Sequence, residues 1–304
     1  MENLPLVSVL MTAYNRESFI AEAIESVLAS TYSNFELIIV DDCSKDSTAA
    51  IAQSYSAKDH RIKVYVNDKN LDQFPNRNRA AGYAKGYLLM SVDSDDIMNP
   101  DAIEYIVEQF NKFPNAQFAT IYGQEDIHEP VCLRPEENIR KHFFKSNHLH
   151  VGPGGTIIKR TYFYQIGGFP VSYGPAGDSY YNIKAAASAD TLLLPYRYYT
   201  YRVHQHQEFS RKDSYLLNNY LYFQDVVVLP ELALSEDERK GLLLLSKKKF
   251  LINMFIYYKR TKDFKSVKNA WRKTGFGVKE MYMAMQQFYK LIVNKKLVPI
   301  FKKG

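Results

Sequence analysis

Short apolar runs alternate with amphipathic stretches through the first hundred residues. Val7-Ser8-Val9-Leu10-Met11 reads as a buried strand. The loop Thr12-Ala13-Tyr14-Asn15 follows. Asn15 or Ser18 is then placed to cap a helix with Phe19, Ile20, Ala23, Ile24, Val27 and Leu28 on one face. A second apolar strand, Phe35 to Val40, empties into Asp41-Asp42-Cys43-Ser44. Residues 46–56 read as a helix, 62–66 as a third strand, 76–85 as an Ala-rich helix and 87–92 as a fourth strand. This alternation predicts a parallel sheet with helices on both faces. Ligands of such sheets bind at the carboxyl ends of the strands. The loops at those ends are residues 12–15, 41–44, 67–73 and 93–96.

Later elements are shorter. Asn99 is placed as an N-cap and Pro100 as the first position of a helix. A strand at 117–122 leads into a polar connection with Glu125, Asp126, His128 and Glu129, which reads as a solvated loop. Gly152-Pro153-Gly154-Gly155 is a turn entering another strand, and residues 162–166 form a short helix before Gly167-Gly168-Phe169. Asp178 stands at a helix start. Tyr196 to Val203 reads as a Tyr-rich alternating strand that His204 ends. Residues 213–228 then predict a helix, and Ser235 begins another whose first turn holds Glu236, Asp237 and Glu238, the favourable end for acids. Phe276 to Val293 carries Met281, Met285, Phe288, Tyr289 and Ile292 at helical spacing.

Composition and charge narrow the class. The 304 residues are 46% hydrophobic and 24% charged, which suits one large or two modest ordered domains. Cys43 and Cys132 lie far apart in no metal-ligand spacing, so a reduced, cytosolic protein is the expectation. No signal peptide is expected, and the strongest apolar run, Phe250 to Tyr258, is too short for a membrane span. The net charge of +6 hides an asymmetry: residues 240–304 hold 17 Lys and Arg against Asp263 and Glu280, net +15, and the remainder is net −9. Basic helices with aromatic faces suit an anionic membrane surface. Equally, those faces can pack on each other or on the rest of the chain and leave the lysines in water. Nucleic acid is not an expected partner, because no recognition motif accompanies the charge.

The loops at the strand ends carry the candidate chemistry. Asp93, Asp95 and Asp96 crowd three carboxylates into four positions. Like charges this close repel unless a cation sits among them, and Mg2+ or Mn2+ prefers such oxygen ligands. The stretch also reads as an acidic turn before a helix. No Gly-x-Gly-x-x-Gly or Gly-Lys-Ser/Thr sequence is present, so neither a dinucleotide fingerprint nor a P-loop is expected. Tyr14 can stack on a base, Asp42 can accept from a base N–H, and Arg77 can reach a base or phosphate. Singly, Tyr14 reads as a loop aromatic and Arg77 as a helix surface charge. Asp178 reads as an N-cap or as a general base.

Several ordered segments resemble glycosyltransferase family 2. They are Val7 to Asn15, Ser26 to Tyr32, and Glu36 to Thr48, then Arg77-Asn78, Asp93-Ser94-Asp95-Asp96, Gly167-Gly168-Phe169 and Tyr201-Arg202-Val203-His204. The similarity runs over roughly residues 5–210. It implies an α/β fold of GT-A type, a Rossmann-like and mostly parallel sheet flanked by helices. Here an all-helical C-terminal extension follows. The expected division is a catalytic domain at 1–211, with a nucleotide-sugar half to about residue 100 and an acceptor half beyond it, and a basic helical region at 212–304. The implied activity is inverting, metal-dependent transfer of a hexosyl or N-acetylhexosaminyl group. The donor would be a nucleotide-sugar, UDP foremost, and the acceptor a hydroxyl of a glycan or lipid-linked molecule in cell-surface polysaccharide synthesis. The implied location is cytoplasmic, with peripheral contact to the inner face of the membrane.

By the same resemblance, Thr12, Ala13, Tyr14, Asn15, Asp42, Arg77, Asp93, Asp95 and His204 would bind the donor. Asp95 and Asp96 would hold Mn2+ or Mg2+, and Asp178 would be the catalytic base. Ser210 and Arg211 would belong to a loop closing over the donor. Two departures stand out: Cys43 replaces a usual Gly, and Gln73-Phe74-Pro75-Asn76 replaces a Gly-containing loop. Two other classes compete. A sugar nucleotidyltransferase would need a Gly-rich basic loop near the N-terminus, which residues 10–16 lack. A non-catalytic nucleotide- or glycan-binding protein on the same fold would not need Asp96 and Asp178 intact.

Overall fold

A computed structural model of the chain describes residues 4–123, 127–196, 198–204 and 212–293. Glu125, Asp126, Ser210 and Arg211 lie outside the described residues. Contacts divide the chain into two units, Met1–Ser210 with Leu229–Ala233, and Arg211–Val228 with Leu234–Gly304.

The first unit opens β1 (Val7–Ala13), α1 (Ile20–Leu28), β2 (Phe35–Asp41), α2 (Thr48–Ser56), β3 (Ile62–Val66), α3 (Gln73–Tyr83) and β4 (Leu88–Ser91). It continues through β5 (Ile97–Met98), α4 (Ala102–Lys112), β6 (Phe118–Ile121), β7 (Val131–Leu133) and α5 (Pro135–Lys141). The last elements are β8 (Thr156–Lys159), α6 (Arg160–Gln165), α7 (Gly177–Ser188), β9 (Thr191–Leu194) and β10 (Tyr199–Thr200).

Eight strands form one sheet in the order β3-β2-β1-β4-β8-β6-β9-β7. The expected parallel half is present, with β2 and β4 both parallel to β1 and β3 parallel to β2. The other half is mixed, since β8 runs antiparallel to both β4 and β6. Every residue of β2 is buried, as a central strand covered on both faces requires. The pleat sorts β1: Val7, Val9 and Met11 face a core with α1 and α4, whereas Leu10 faces a core with α3, α6 and α7.

A buried polar knot ties strand starts together away from the ligand-binding edge. Glu36 Oε1 accepts from Ser8 Oγ at 2.7 Å and Lys85 N at 2.6 Å, and Oε2 accepts from Lys63 Nζ at 2.6 Å. Burial alone would raise the Glu36 pKa, but these hydrogen bonds outweigh it and hold the carboxyl below its ordinary value. Gly86 N donates to Ser8 Oγ at 2.8 Å.

Four local expectations change. Neither Asn15 nor Ser18 caps α1: Phe19 is at the N-cap position and no side chain caps it. Asn15 Oδ1 accepts from Lys45 N instead, at 2.8 Å. Asn99 does not cap α4, whose N-cap position is Asp101; its amide donates to Tyr196 Oη at 3.0 Å. Helix α3 begins at Gln73 rather than Asn76, because Pro75 lies within the first turn, where its missing N–H is tolerated. The strand expected from Tyr196 to Val203 shrinks to two residues pairing with β5, since the chain then turns to meet the acidic loop.

The second unit is helical: α8 (Lys212–Val227), α9 (Glu236–Thr261), α10 (Phe264–Lys273) and α11 (Val278–Val293). Ser235 and Glu238 form the capping box at the start of α9. Helix α10 falls in a stretch with no expected element. Its apolar residues are few, and Asp263 caps it by accepting from Ser266 N at 3.0 Å. Tyr220 stacks on Phe250 at 4.5 Å, and Phe276 meets both edge-on, which makes this unit's own core.

A Cβ at Gly86 would sit 2.5 Å from Ser8 N and 2.8 Å from Leu6 O, both backbone atoms. Gly86→Ala is therefore expected to lower stability by about 1–3 kcal/mol, an overpacking cost measured by urea denaturation.

Candidate active site

The loops at the carboxyl ends of β1 to β4 interlock through polar contacts. Asp42 N donates to Ala13 O at 2.7 Å, Asn15 N to Ser44 Oγ at 2.9 Å, and Arg16 N to Thr48 Oγ1 at 2.7 Å. Ser44 is held by Asp41, which accepts from both its N–H and its hydroxyl. Two residues pass through left-handed backbone to make these turns, Asn15 at φ 52° and Cys43 at φ 64°. The latter gives the Gly-to-Cys departure a physical meaning, since glycine adopts that conformation without strain. Tyr14 is left at the rim with its ring 40% exposed. Thr12, next to last in β1, is half-buried, its carbonyl accepting from Ser94 Oγ at 2.8 Å.

Asp42 is buried and organises the third loop. Its Oδ1 accepts from Asn67 Nδ2 at 2.7 Å and Leu71 N at 2.9 Å, and its Oδ2 from Asp72 N at 3.1 Å. Asn67 Nδ2 also donates to Asn76 Oδ1, and Asn76 donates to Val40 O. Sequence reading gave Asn67 and Asn76 no role; two amides nine residues apart carry no motif.

The acidic turn is compact. Carboxylate oxygens of Asp93, Asp95 and Asp96 lie within 4.8 Å of one another. Asp93 Oδ1 accepts from Arg77 Nη2 at 2.5 Å. Asp95 Oδ2 accepts from Arg16 Nε at 2.9 Å and contacts His204 Nε2 at 2.9 Å. Asp96, nearly inaccessible, accepts from Arg202 N at 3.1 Å. Its pKa is pushed up to about 7, by burial first and by the charges of Asp93 and Asp95 next. A buried carboxylate with one backbone donor and two acidic neighbours is a donor set that fits a hard divalent cation.

His204 stacks on Phe19, with ring centroids 4.4 Å apart, so it is fixed from two sides. Arg202 had no sequence-derived role. Its Nε donates to Asp95 O at 2.5 Å, Nη1 pairs with Glu22 at 2.5 Å, and Nη2 donates to Phe19 O at 3.1 Å. The Tyr-Arg-x-His segment is thereby bolted beneath the acidic turn.

A second junction brings in Asp178. Asn78 Nδ2 donates to Phe169 O at 2.8 Å, and Phe169 N donates back to Asn78 Oδ1 at 2.9 Å. Two of the family-like segments, 91 residues apart, are halves of this one contact. Gly168 adopts φ 67°, and a Cβ there would lie 2.8 Å from Asn78 Oδ1. Next to it, a Cβ at Gly177 would meet the Phe74 ring at 2.7 Å. The first turns of α3 and α7 thus pack face to face, with Phe74 one turn before Arg77 and Gly177 one residue before Asp178.

The Arg77 guanidinium is 5% exposed, and its Nε and Nη1 are buried with no partner among the described residues. Its charge reaches the Asp178 carboxyl. Burial raises the Asp178 pKa to about 6, with the Ser179 N–H and the Arg77 charge opposing that rise. Asp178 Oδ1 is taken by Ser179 N at 2.6 Å.

The family model described as Glycosyl transferase family 2 matches residues 8–167. The chain belongs to glycosyltransferase family 2. Within this family, chondroitin synthase of Escherichia coli is 34% identical over 112 residues, 37% of this chain and 16% of that protein. The matched stretches of the first relatives span only 14% to 43% of those proteins' own lengths. S. aureus TarS 1-349 in complex with UDP-GlcNAc superposes with TM-score 0.64 at 19% identity, over 88% of this chain and 92% of that one. Mannosyltransferase PcManGT from Pyrobaculum calidifontis, in complex with GDP-Man and Mn2+, gives TM-score 0.60 at 15% identity, over 96% of this chain and 81% of that one. At these identities the likeness is one of fold, the GT-A type expected from the sequence.

Arg202→Ala should lower stability by about 1–3 kcal/mol in urea denaturation, through loss of three side-chain links. Arg202→Lys should recover only part of this, because one ammonium cannot reproduce the guanidinium's fork. Asp96 keeps its backbone partner in both.

Proposed function

We propose that the chain is an inverting, metal-dependent glycosyltransferase. It moves a hexosyl or N-acetylhexosaminyl group from a nucleotide-sugar, UDP foremost, to a hydroxyl of a glycan or lipid-linked acceptor in cell-surface polysaccharide synthesis. The observation that carries this reading is the buried Arg77 guanidinium. It bonds to Asp93 of the acidic turn, its charge reaches Asp178, and its Nε and Nη1 have no partner among the described residues. One cation thus couples a site for a diphosphate to a site for a base. The nucleotide-sugar complexes of TarS and PcManGT on the same fold support the donor class. The chondroitin synthase relative supports the polysaccharide context.

Each residue has a task in this reading. Tyr14 stacks on the base, Asp42 accepts from its N–H, and the Thr12-to-Asn15 backbone borders it. Asp95 and Asp96 would hold Mn2+ or Mg2+, which when bound would supply positive charge beside the diphosphate. Arg77 offers the N–H groups of Nε and Nη1, unpartnered among the described residues, to the diphosphate. Asp178 takes the acceptor hydroxyl proton as that oxygen bonds to the anomeric carbon and the sugar–phosphate bond breaks on the opposite face. Asp93 supports Arg77, and His204 holds Asp95 in place beside the diphosphate. The catalytic part is assigned to residues 1–211 and the basic helical part to 212–304. The second part rests on an anionic membrane at its cytoplasmic face. The net charge of +15 in residues 240–304 supports this.

Three outcomes test the reading. Titration calorimetry with UDP should show binding with Mn2+ and little without it; no binding of any nucleoside diphosphate would remove the donor assignment. Asp178→Asn should keep UDP binding and lose about 10²- to 10⁴-fold in kcat; unchanged transfer would place the base elsewhere. Asp178 works as the carboxylate, so kcat should fall as pH drops through about 6. Arg77 lowers that pKa, so in Arg77→Met the acid limb should move to higher pH.

A further inference from the structure

Helix α11 presents an apolar face to water. Its inward side packs through Ala284 and Met283, and Glu280 there pairs with Lys247 at 3.1 Å. Its outward side should be polar in a helix that meets only solvent. Instead Val278, Met281, Tyr282 and Met285 stand at i, i+3, i+4 and i+7, and they are 77%, 50%, 58% and 53% exposed. The neighbouring helix α10 turns its apolar Val267, Ala270 and Trp271 to the unit's core. Its outer face is a solvent-open recess lined by Lys265, Ser266, Lys268, Asn269 and Arg272. No acid pairs with these three cations among the described residues. The nearest in sequence, Asp263, is occupied by Ser266 N and Tyr257 Oη.

We propose that the outward stripe of α11 inserts into an anionic lipid surface, with the cations of the same unit, those of α10 among them, on the headgroups. This deepens the membrane assignment above and rests on it. The net +15 of residues 240–304 chooses the occupant. Two copies meeting through these helices would bring like charges together, whereas an anionic leaflet attracts them. Methionine and tyrosine suit the level where acyl chains meet headgroups, one adaptable and apolar, the other apolar with a polar tip. An exposed apolar helix face in a strongly basic unit has the composition of an interfacial helix.

The test uses the full chain in co-sedimentation with phosphatidylcholine vesicles and with mixed phosphatidylcholine–phosphatidylglycerol vesicles. The unaltered chain should bind the mixed vesicles, and added salt should weaken that binding. Met281→Gln with Met285→Gln, both exposed, should weaken it by about tenfold or more. Lys265→Gln, Lys268→Gln and Arg272→Gln together should weaken it by about a hundredfold. Transfer to a soluble acceptor should be unchanged in both variants, which separates this result from the catalytic reading. A stripe variant that binds as tightly as the unaltered chain overturns the insertion and leaves the membrane assignment standing. An unaltered chain that binds neither vesicle overturns both. A dimer in light scattering that the stripe variant dissolves would give the face to a second copy.

Discussion

Mutual repulsion among Asp93, Asp95 and Asp96 is the constraint around which the first unit is arranged. Three carboxylates within 4.8 Å cannot all be ionised at rest without compensation. The fold supplies that compensation with four groups from three separate places. Arg16 comes from the loop after β1, Arg77 from α3, and the Arg202 N–H and His204 from the segment after β10. Asp96, the deepest, keeps the residual strain as a pKa near 7.

The same arrangement explains why α3 and α7 must touch. A buried guanidinium whose Nε and Nη1 have no partner among the described residues is costly unless something anionic lies near. Asp178 is near because Gly177 lets the Phe74 ring close on the first turn of α7. The Asn78–Phe169 pair pins the segment that precedes it. A small residue, an amide and a left-handed glycine thus set the position of a carboxylate that none of them resembles chemically.

The second unit follows another logic. Its aromatic cluster of Tyr220, Phe250 and Phe276 gives it a core of its own. The charge asymmetry of the chain maps onto this division, with an acidic sheet unit and a strongly basic helical one.

Much of this was legible before any coordinates. The period of the apolar residues defined β1 to β4 and the helices between them, because a strand buried on both faces and an amphipathic helix leave different patterns. It also put the polar loops on one edge of the sheet. Family-like segments in a fixed order named the carboxylates. The sequence could not reveal contacts between residues far apart in the chain. Arg202 beneath Asp95, Asn78 against Phe169 and Phe74 over Gly177 are each ordinary residues until the fold closes. Caps failed for a related reason: Asn15 and Asn99 found tertiary partners, at Lys45 and Tyr196, that outcompeted the local helix ends. The amino-acid sequence determined the elements of the parallel half and the chemistry they carry, since both are local. Only the tertiary structure decided which groups share a buried cation, because desolvation and charge act across space and not along the chain.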